Sequence, residues 1–145
     1  ECNLTNRHYA HKVLRYLRQC QLADEWSRFK SLPLEDQTLE IGAVIVSQWS
    51  QPERRLSYKQ ISLQLDKIAN AAKQLIKERH PFHPMNSVEP FKFAIWRNKN
   101  ISDNQYDPAA TRQALNALCE VMFDRMAFNG NSEMYYSSEN SFIDR

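Results

Sequence analysis

Glycine is nearly missing from this chain: Gly42 and Gly130 are the only two in 145 residues. A phosphate-cradling loop needs several glycines close together, so nucleotide sites of that kind are excluded. Cysteine is scarce as well. Cys2, Cys20 and Cys119 are odd in number and far apart, which fits reduced intracellular thiols rather than a disulfide framework. Two triplets of the N-glycosylation type, Asn3-Leu4-Thr5 and Asn100-Ile101-Ser102, argue the other way, although such triplets arise often by chance. No apolar run approaches the roughly 20 residues of a membrane-spanning helix. No signal peptide is visible, and because the first residue is Glu1 rather than Met, the natural start is expected upstream. A net charge of +2 is too small to make nucleic acid the default partner.

What is present suits one soluble globular domain: 42% hydrophobic and 25% charged residues over a length that can bury a core. Tyr9, Val13, Tyr16, Leu17 and Cys20 recur at helical spacing, with Thr5 or Asn6 as a cap. Leu22, Trp26 and Phe29 continue as a second short helix. Residues 39–50 read as a helix with Leu39, Ala43, Val46 and Trp49 inward, and Gly42 then implies a close helix–helix contact. The clearest helix spans 57–80. Ser57 and Gln60 suggest a capping box, and Ile61, Leu65, Ile68, Ala72, Leu75 and Ile76 form its apolar face. Residues 81–107 read either as a long loop pinned by Phe91, Phe93 and Trp96 or as a stretch holding a short strand. A last strong helix begins with Asp107 as cap and Pro108 in the first turn, with Leu115, Leu118, Met122, Phe123 and Met126 inward. Gly130 is placed as its left-handed terminator, so Gly130→Val is expected to destabilise by roughly 1 kcal/mol or more. The fold class that follows is all-α: an irregular array of about five or six helices forming part of a larger domain.

Chemistry is sparse. His8-x-x-His11 and His80-x-x-His83 have suggestive spacing, but no cysteine or carboxylate set completes a metal site around either. Cys119 lies beside an apolar stripe, where cysteine acts as a small hydrophobe. Asp24-Glu25 and Glu35-Asp36 sit in polar, wet segments that do not drive two carboxylates toward different pKa values. No catalytic residue, metal ligand or cofactor is therefore expected. Between Glu53 and Arg79 bases outnumber acids. Lys59, Lys67, Lys73 and Lys77, with Phe91 and Trp96 of the aromatic stretch, are the candidate protein-contact surface, although an ordinary solvated face is the plainer reading.

Three stretches carry a family resemblance: "HYAHKVLRYLRQCQLADEWSRF", "IGAVIVSQWSQPERRLSYKQISLQLDKIA" and "ALNALCEVMFDRMAFNGNSEMYYSSENSFIDR". They resemble, in order, consecutive parts of F-box proteins that carry a transglutaminase-like region. The last two also resemble the opening of the bacterial transglutaminase-like family. The sharpest motif is Phe128-x-Gly130-Asn131-x-x-x-Tyr135-Tyr136 with Asn140, taken as a structural corner whose tyrosines wedge against the core. The resemblance implies that residues 1–35 follow an upstream F-box and that 36–145 open a transglutaminase-like region. It implies a non-catalytic recognition or scaffold part of a Skp–cullin–F-box ubiquitin ligase, in the cytoplasm with the nucleus as second candidate. Its partners would be a protein to be ubiquitinated and, through an F-box not found in this chain, a Skp adaptor and a cullin; nucleic acid and membrane are not expected. The rival readings are a transglutaminase- or protease-like enzyme whose nucleophile lies downstream, and a standalone helical interaction module.

Overall fold

The computed structural model describes residues 4–52, 54, 56–100 and 107–144. Cys2, Asn3, Ile101 and Ser102 lie outside the described residues, as do Glu53 and Arg55 of the charge run. Five α-helices and no strand occur among the described residues.

Helix α1 (Leu4–Ser31) is unbroken, where the sequence suggested two helices. No glycine or proline interrupts it, so the backbone carries straight through the point at which the apolar pattern changes. Thr5 and Asn6 lie inside this helix rather than at a cap. Its C-terminal part lies on α2 (Leu39–Ser50). Leu22 is buried there, and Trp26 and Phe29 stack with ring centroids 5.5 Å apart. A Cβ on Gly42 would sit 3.3 Å from the Phe29 ring, so the glycine serves the close approach that the sequence implied. That packing offsets the roughly 1 kcal/mol that glycine costs in a helix. The buried side of α2 is Val44, Ile45 and Ser47, not the expected stripe; Leu39, Val46 and Trp49 are exposed. Docking on Phe29 through Gly42 fixes the rotation of α2, and the neighbouring Ile41, Val44 and Ile45 turn toward α1.

Helix α3 (Tyr58–Arg79) buries Ile61, Ala72, Leu75 and Ile76, as the periodicity predicted. Its capping box is not formed: the Ser57 side chain makes no cap bond, and the Ser57 carbonyl instead takes the Gln60 and Ile61 N–H groups at 3.0 and 3.2 Å. The main core lies between α3 and α5 (Pro108–Cys119). Ala72, Leu75, Ile76, Ala117 and Val121 form its buried centre, and each large aliphatic side chain contributes about 1.5–3 kcal/mol by leaving water. Asp107 caps α5 as expected, its Oδ1 accepting from the Ala109 and Ala110 N–H groups, both at 2.8 Å. The predicted inward face of α5 is only partly right. Leu118 packs on the core, but Leu115 and Phe123 are exposed. Ala110 and Ala117 are buried in the helix in their place, since small side chains let the two backbones come close.

Residues 81–107 do not form one long loop. A 3-10 turn, Pro84–Ser87, leads into α4 (Pro90–Arg97). Pro90 stands in the first turn, where its missing N–H costs nothing. His83, 4% exposed, fastens this segment to α5. Its Nδ1 accepts the Met85 N–H at 3.1 Å and its Nε2 lies 2.9 Å from the Ala110 carbonyl. The ring is therefore the neutral tautomer with the proton on Nε2, donating to Ala110. After α4, Lys99 reaches Asp36 at 2.6 Å and Glu35 at 3.3 Å. The Asn100 amide donates to the Leu34 and Gln37 carbonyls at 2.9 and 2.5 Å, so the nitrogen that a glycan would use is occupied. Near the other end, Asp144 accepts from Gln51 at 2.9 Å and pairs with Arg54 at 2.6 Å, closing the chain back onto the α2–α3 connection. No helix among the described residues is long and apolar enough to cross a membrane.

Candidate functional site

The aromatic corner begins where α5 widens. Residues Glu120–Arg125 form a π-helical turn, and the Met126 N–H bonds the Val121 carbonyl at 3.0 Å. The Phe128 N–H then reaches back six residues to the Met122 carbonyl at 2.9 Å. Ala127, between them, carries the left-handed backbone at φ 55°. This corrects the role expected of Gly130, whose φ is not positive and whose Cβ position meets nothing within 4 Å. The termination is a helix-end reversal widened by one residue, because it closes a π turn rather than an α turn.

Beyond it, two asparagines of the motif lace the chain. Asn131 Oδ1 accepts the Met134 N–H at 2.9 Å, and its amide donates to Asn140 Oδ1 at 3.1 Å. The Asn140 amide in turn donates to the Met134 and Tyr135 carbonyls at 2.9 and 3.0 Å. Tyr135 and Tyr136 stand outside this lacing, 73% and 97% exposed, edge to face with centroids 5.2 Å apart. They do not wedge the corner against the core; backbone hydrogen bonds to the asparagine amides hold it instead. Phe128 turns the other way, into a groove of 570 Å³ shared with Met122, Met126 and Phe142.

Three of the six predicted contact residues line grooves. Lys67 borders the Phe128 groove. Lys73 lies across α3 from it, its Nζ 4.2 Å from the centroid of the Phe93 ring, a cation–π contact. Phe93 meets Trp96 edge to face at 5.5 Å, and Lys73, Phe93, Trp96, Met85 and Leu118 line a second groove of 750 Å³ between α3, α4 and α5. Thus Lys73 and Trp96 come together, whereas Lys59, Lys77 and Phe91 are exposed away from both grooves.

Sequence reasoning missed Arg97, which closes the rim of the second groove. Its guanidinium pairs with Asp66 at 3.1 Å and donates to Ser62 Oγ. Nearby, burial pushes the Tyr58 phenol above its ordinary pKa, and the Glu40 carboxylate adds to that. Below, Arg79 donates both Nη groups to Glu120, with Nη2 to Oε1 at 2.8 Å, and Arg125 joins at 3.2 Å. The Arg79 hydrogen bond, followed by that from Arg125, holds the Glu120 carboxyl below the ordinary range. No three His, Cys, Asp or Glu side chains among the described residues converge to hold a metal ion. His8 and His11 are exposed on α1, and His83 is committed to its backbone bonds. The only advance signal for His83 was its place between Pro81 and Pro84.

Residues 59–145 match the model of the transglutaminase-like superfamily. The chain belongs to this superfamily. The superfamily match takes in nearly all of α3, then α4, α5 and the whole corner, while α1 and α2 precede it. A longer similarity covers those helices too. F-box only protein 21 of Homo sapiens is 27% identical over 140 residues, which is 97% of this chain and 21% of that protein. Its counterparts from Pongo abelii and Mus musculus are 27% and 26% identical with the same coverage. This transglutaminase-like chain therefore spans about a fifth of the length of the curated relatives it matches. No solved structure matches it.

Proposed function

We propose that this chain is the non-catalytic substrate-recognition or scaffold portion of an F-box ubiquitin ligase component acting in protein ubiquitination. The observation that carries the reading is the similarity to F-box only protein 21 along 97% of the chain, including α1 and α2, which the superfamily match does not reach. On this reading residues 1–35 follow an F-box, and 36–145 form the N-terminal helical part of a transglutaminase-like region. The F-box binds a Skp adaptor and through it a cullin. The client protein meets the Lys73–Trp96 groove and its neighbouring cations, where an apolar floor with charged edges suits a protein side chain. The Phe128–Asn140 corner is structural. The full reading frame, expressed with an affinity tag, should co-purify with a Skp adaptor and a cullin; a stable product that captures neither would remove the ligase reading.

The superfamily match favours one second reading, the opening of a transglutaminase- or protease-like enzyme with its core downstream. A Cys, His and Asp set in the hundred or so residues after 145 of the reading frame, together with amine incorporation by the purified protein, would support it over the first.

A further inference from the structure

The chain between α2 and α3 reads Arg54-Arg55-Leu56-Ser57-Tyr58. Two arginines stand three and two residues ahead of a serine, and a large ring follows it. A protein kinase with carboxylates lining its substrate cleft selects this kind of pattern. Each guanidinium pairs with a carboxylate in a fixed fork, and an extended substrate backbone holds the offsets to the hydroxyl. No other serine or threonine of the chain has arginine at both offsets. Ser31 has Arg28 three residues ahead of it, but it closes the unbroken helix α1 and its hydroxyl donates to the Ser27 carbonyl at 2.8 Å.

Ser57 differs from Ser31 in backbone and in bonding. Its backbone is already extended, φ −112° and ψ 128°, and its hydroxyl makes no cap bond, so modifying that oxygen gives up no cap. Ser57 is partly exposed and the Arg54 side chain is 44% exposed. Two contacts tie this stretch to the folded body among the described residues. Gln48 Nε2 donates to the Leu56 carbonyl at 2.9 Å, and Arg54 pairs with Asp144 at 2.6 Å. Releasing them together with the first turn of α3 is a local opening, which costs less than global unfolding. The helix that follows also favours the modified form. Its first turn holds no acidic residue, although Lys77 and Arg79 occupy its last, so a phosphate beside the N-terminal N–H groups would complement the dipole end left bare.

We propose that Ser57 is the acceptor site of an arginine-directed protein kinase, and that its phosphate takes Arg54 away from Asp144. In the transfer the Ser57 Oγ attacks the γ-phosphorus of ATP. The new O–P bond forms as the bond to the leaving oxygen of ADP breaks, and the hydroxyl proton passes to the carboxylate base of the kinase. The product carries about two negative charges on three oxygens. It stands three residues from Arg54, whose guanidinium now rests on Asp144 Oδ2. Phosphate is the stronger partner for a guanidinium, being more highly charged and open to a bidentate bond. Asp144, its side chain 5% exposed, is then left with Gln51 alone, and the closure of the chain onto the α2–α3 connection loosens.

The test incubates the whole folded chain with MgATP and the catalytic subunit of cyclic-AMP-dependent protein kinase. Tandem mass spectrometry should place the phosphate on Ser57. Ser57→Ala should remove it, and Arg54→Gln should lower kcat/KM about tenfold or more by losing one forked pair. Gln48→Ala, which frees Leu56, should speed the reaction, and an acid-directed casein kinase should leave Ser57 unmodified. Asp144→Asn should lower the Tm of the unmodified chain and change that of the phosphorylated chain far less. A folded chain that takes no phosphate overturns the proposal. So does phosphate on Ser31 in place of Ser57, modification of Ser57 by both kinases alike, or an Arg54→Gln chain modified as fast as wild type. An Asp144→Asn penalty that is the same before and after phosphorylation overturns the exchange of partners.

Discussion

Ala127 carries the left-handed backbone at the end of the π turn, φ 55°, without being glycine or asparagine. An L-residue pays roughly 1–2 kcal/mol for that conformation. Ala127→Gly should therefore raise stability by about 0.5–1 kcal/mol, the relief being partly offset by the freer unfolded chain. Gly130→Val, in open space at a φ that any residue adopts, should stay within about 0.5 kcal/mol of wild type. Denaturant midpoints of the two variants check both values, and a costly Gly130→Val with a neutral Ala127→Gly would reverse this account of the corner. At this scale the sequence was legible where the interaction is local. Asp107 and its two N–H partners lie within three residues, and Gly42 announced a close contact. His83 was not legible, because its partner is 27 residues away and nothing in the local pattern points to Ala110.

Between elements, the α3–α5 pair could be read on the α3 side, where the apolar period runs undisturbed for six turns. It was misread on the α5 side, because alanines occupy the contact line and the π turn shifts the phase of everything after Cys119. Helix α4, eight residues long, is too short for a period to show. Across the outer edge of the α3–α5 pair, Arg79 and Arg125 hold Glu120, and this sets a pH dependence. The folded-state pKa of Glu120 lies below its ordinary value of 4.5, so the folded chain favours the charged form. The stabilisation is complete above 4.5 and is lost as pH falls through the lower folded value. Glu120→Gln should thus melt below wild type at neutral pH, and the gap should narrow as pH falls below 4.5. Thermal melts from pH 3 to 7 decide the matter, since a gap that ignores pH would assign the loss to packing.

For the molecule as a whole, helix content was legible in the sequence, but the position of α1 was not. Its N-terminal apolar stripe reads as a core face in one dimension and stands in water in three. Hydrogen exchange should separate the two regimes. Amides of Leu75, Ile76, Ala117 and Val121, in the buried centre, should exchange slowest, and those of residues 8–17 should approach unprotected rates. Equal protection along all of α1 would show that its first half is held by something other than its own helix.

The His83–Ala110 bond has a consequence for how this chain can change over time. It pins both ends of a 27-residue excursion, which makes the intervening segment a closed loop whose entropy grows only with the logarithm of its length. Doubling that segment would cost about 0.6 kcal/mol, less than the loss of one buried methylene. Insertions and rewritten surfaces can therefore accumulate between Ser87 and Asp107 while the α3–α5 pair stays closed, so long as the imidazole is kept.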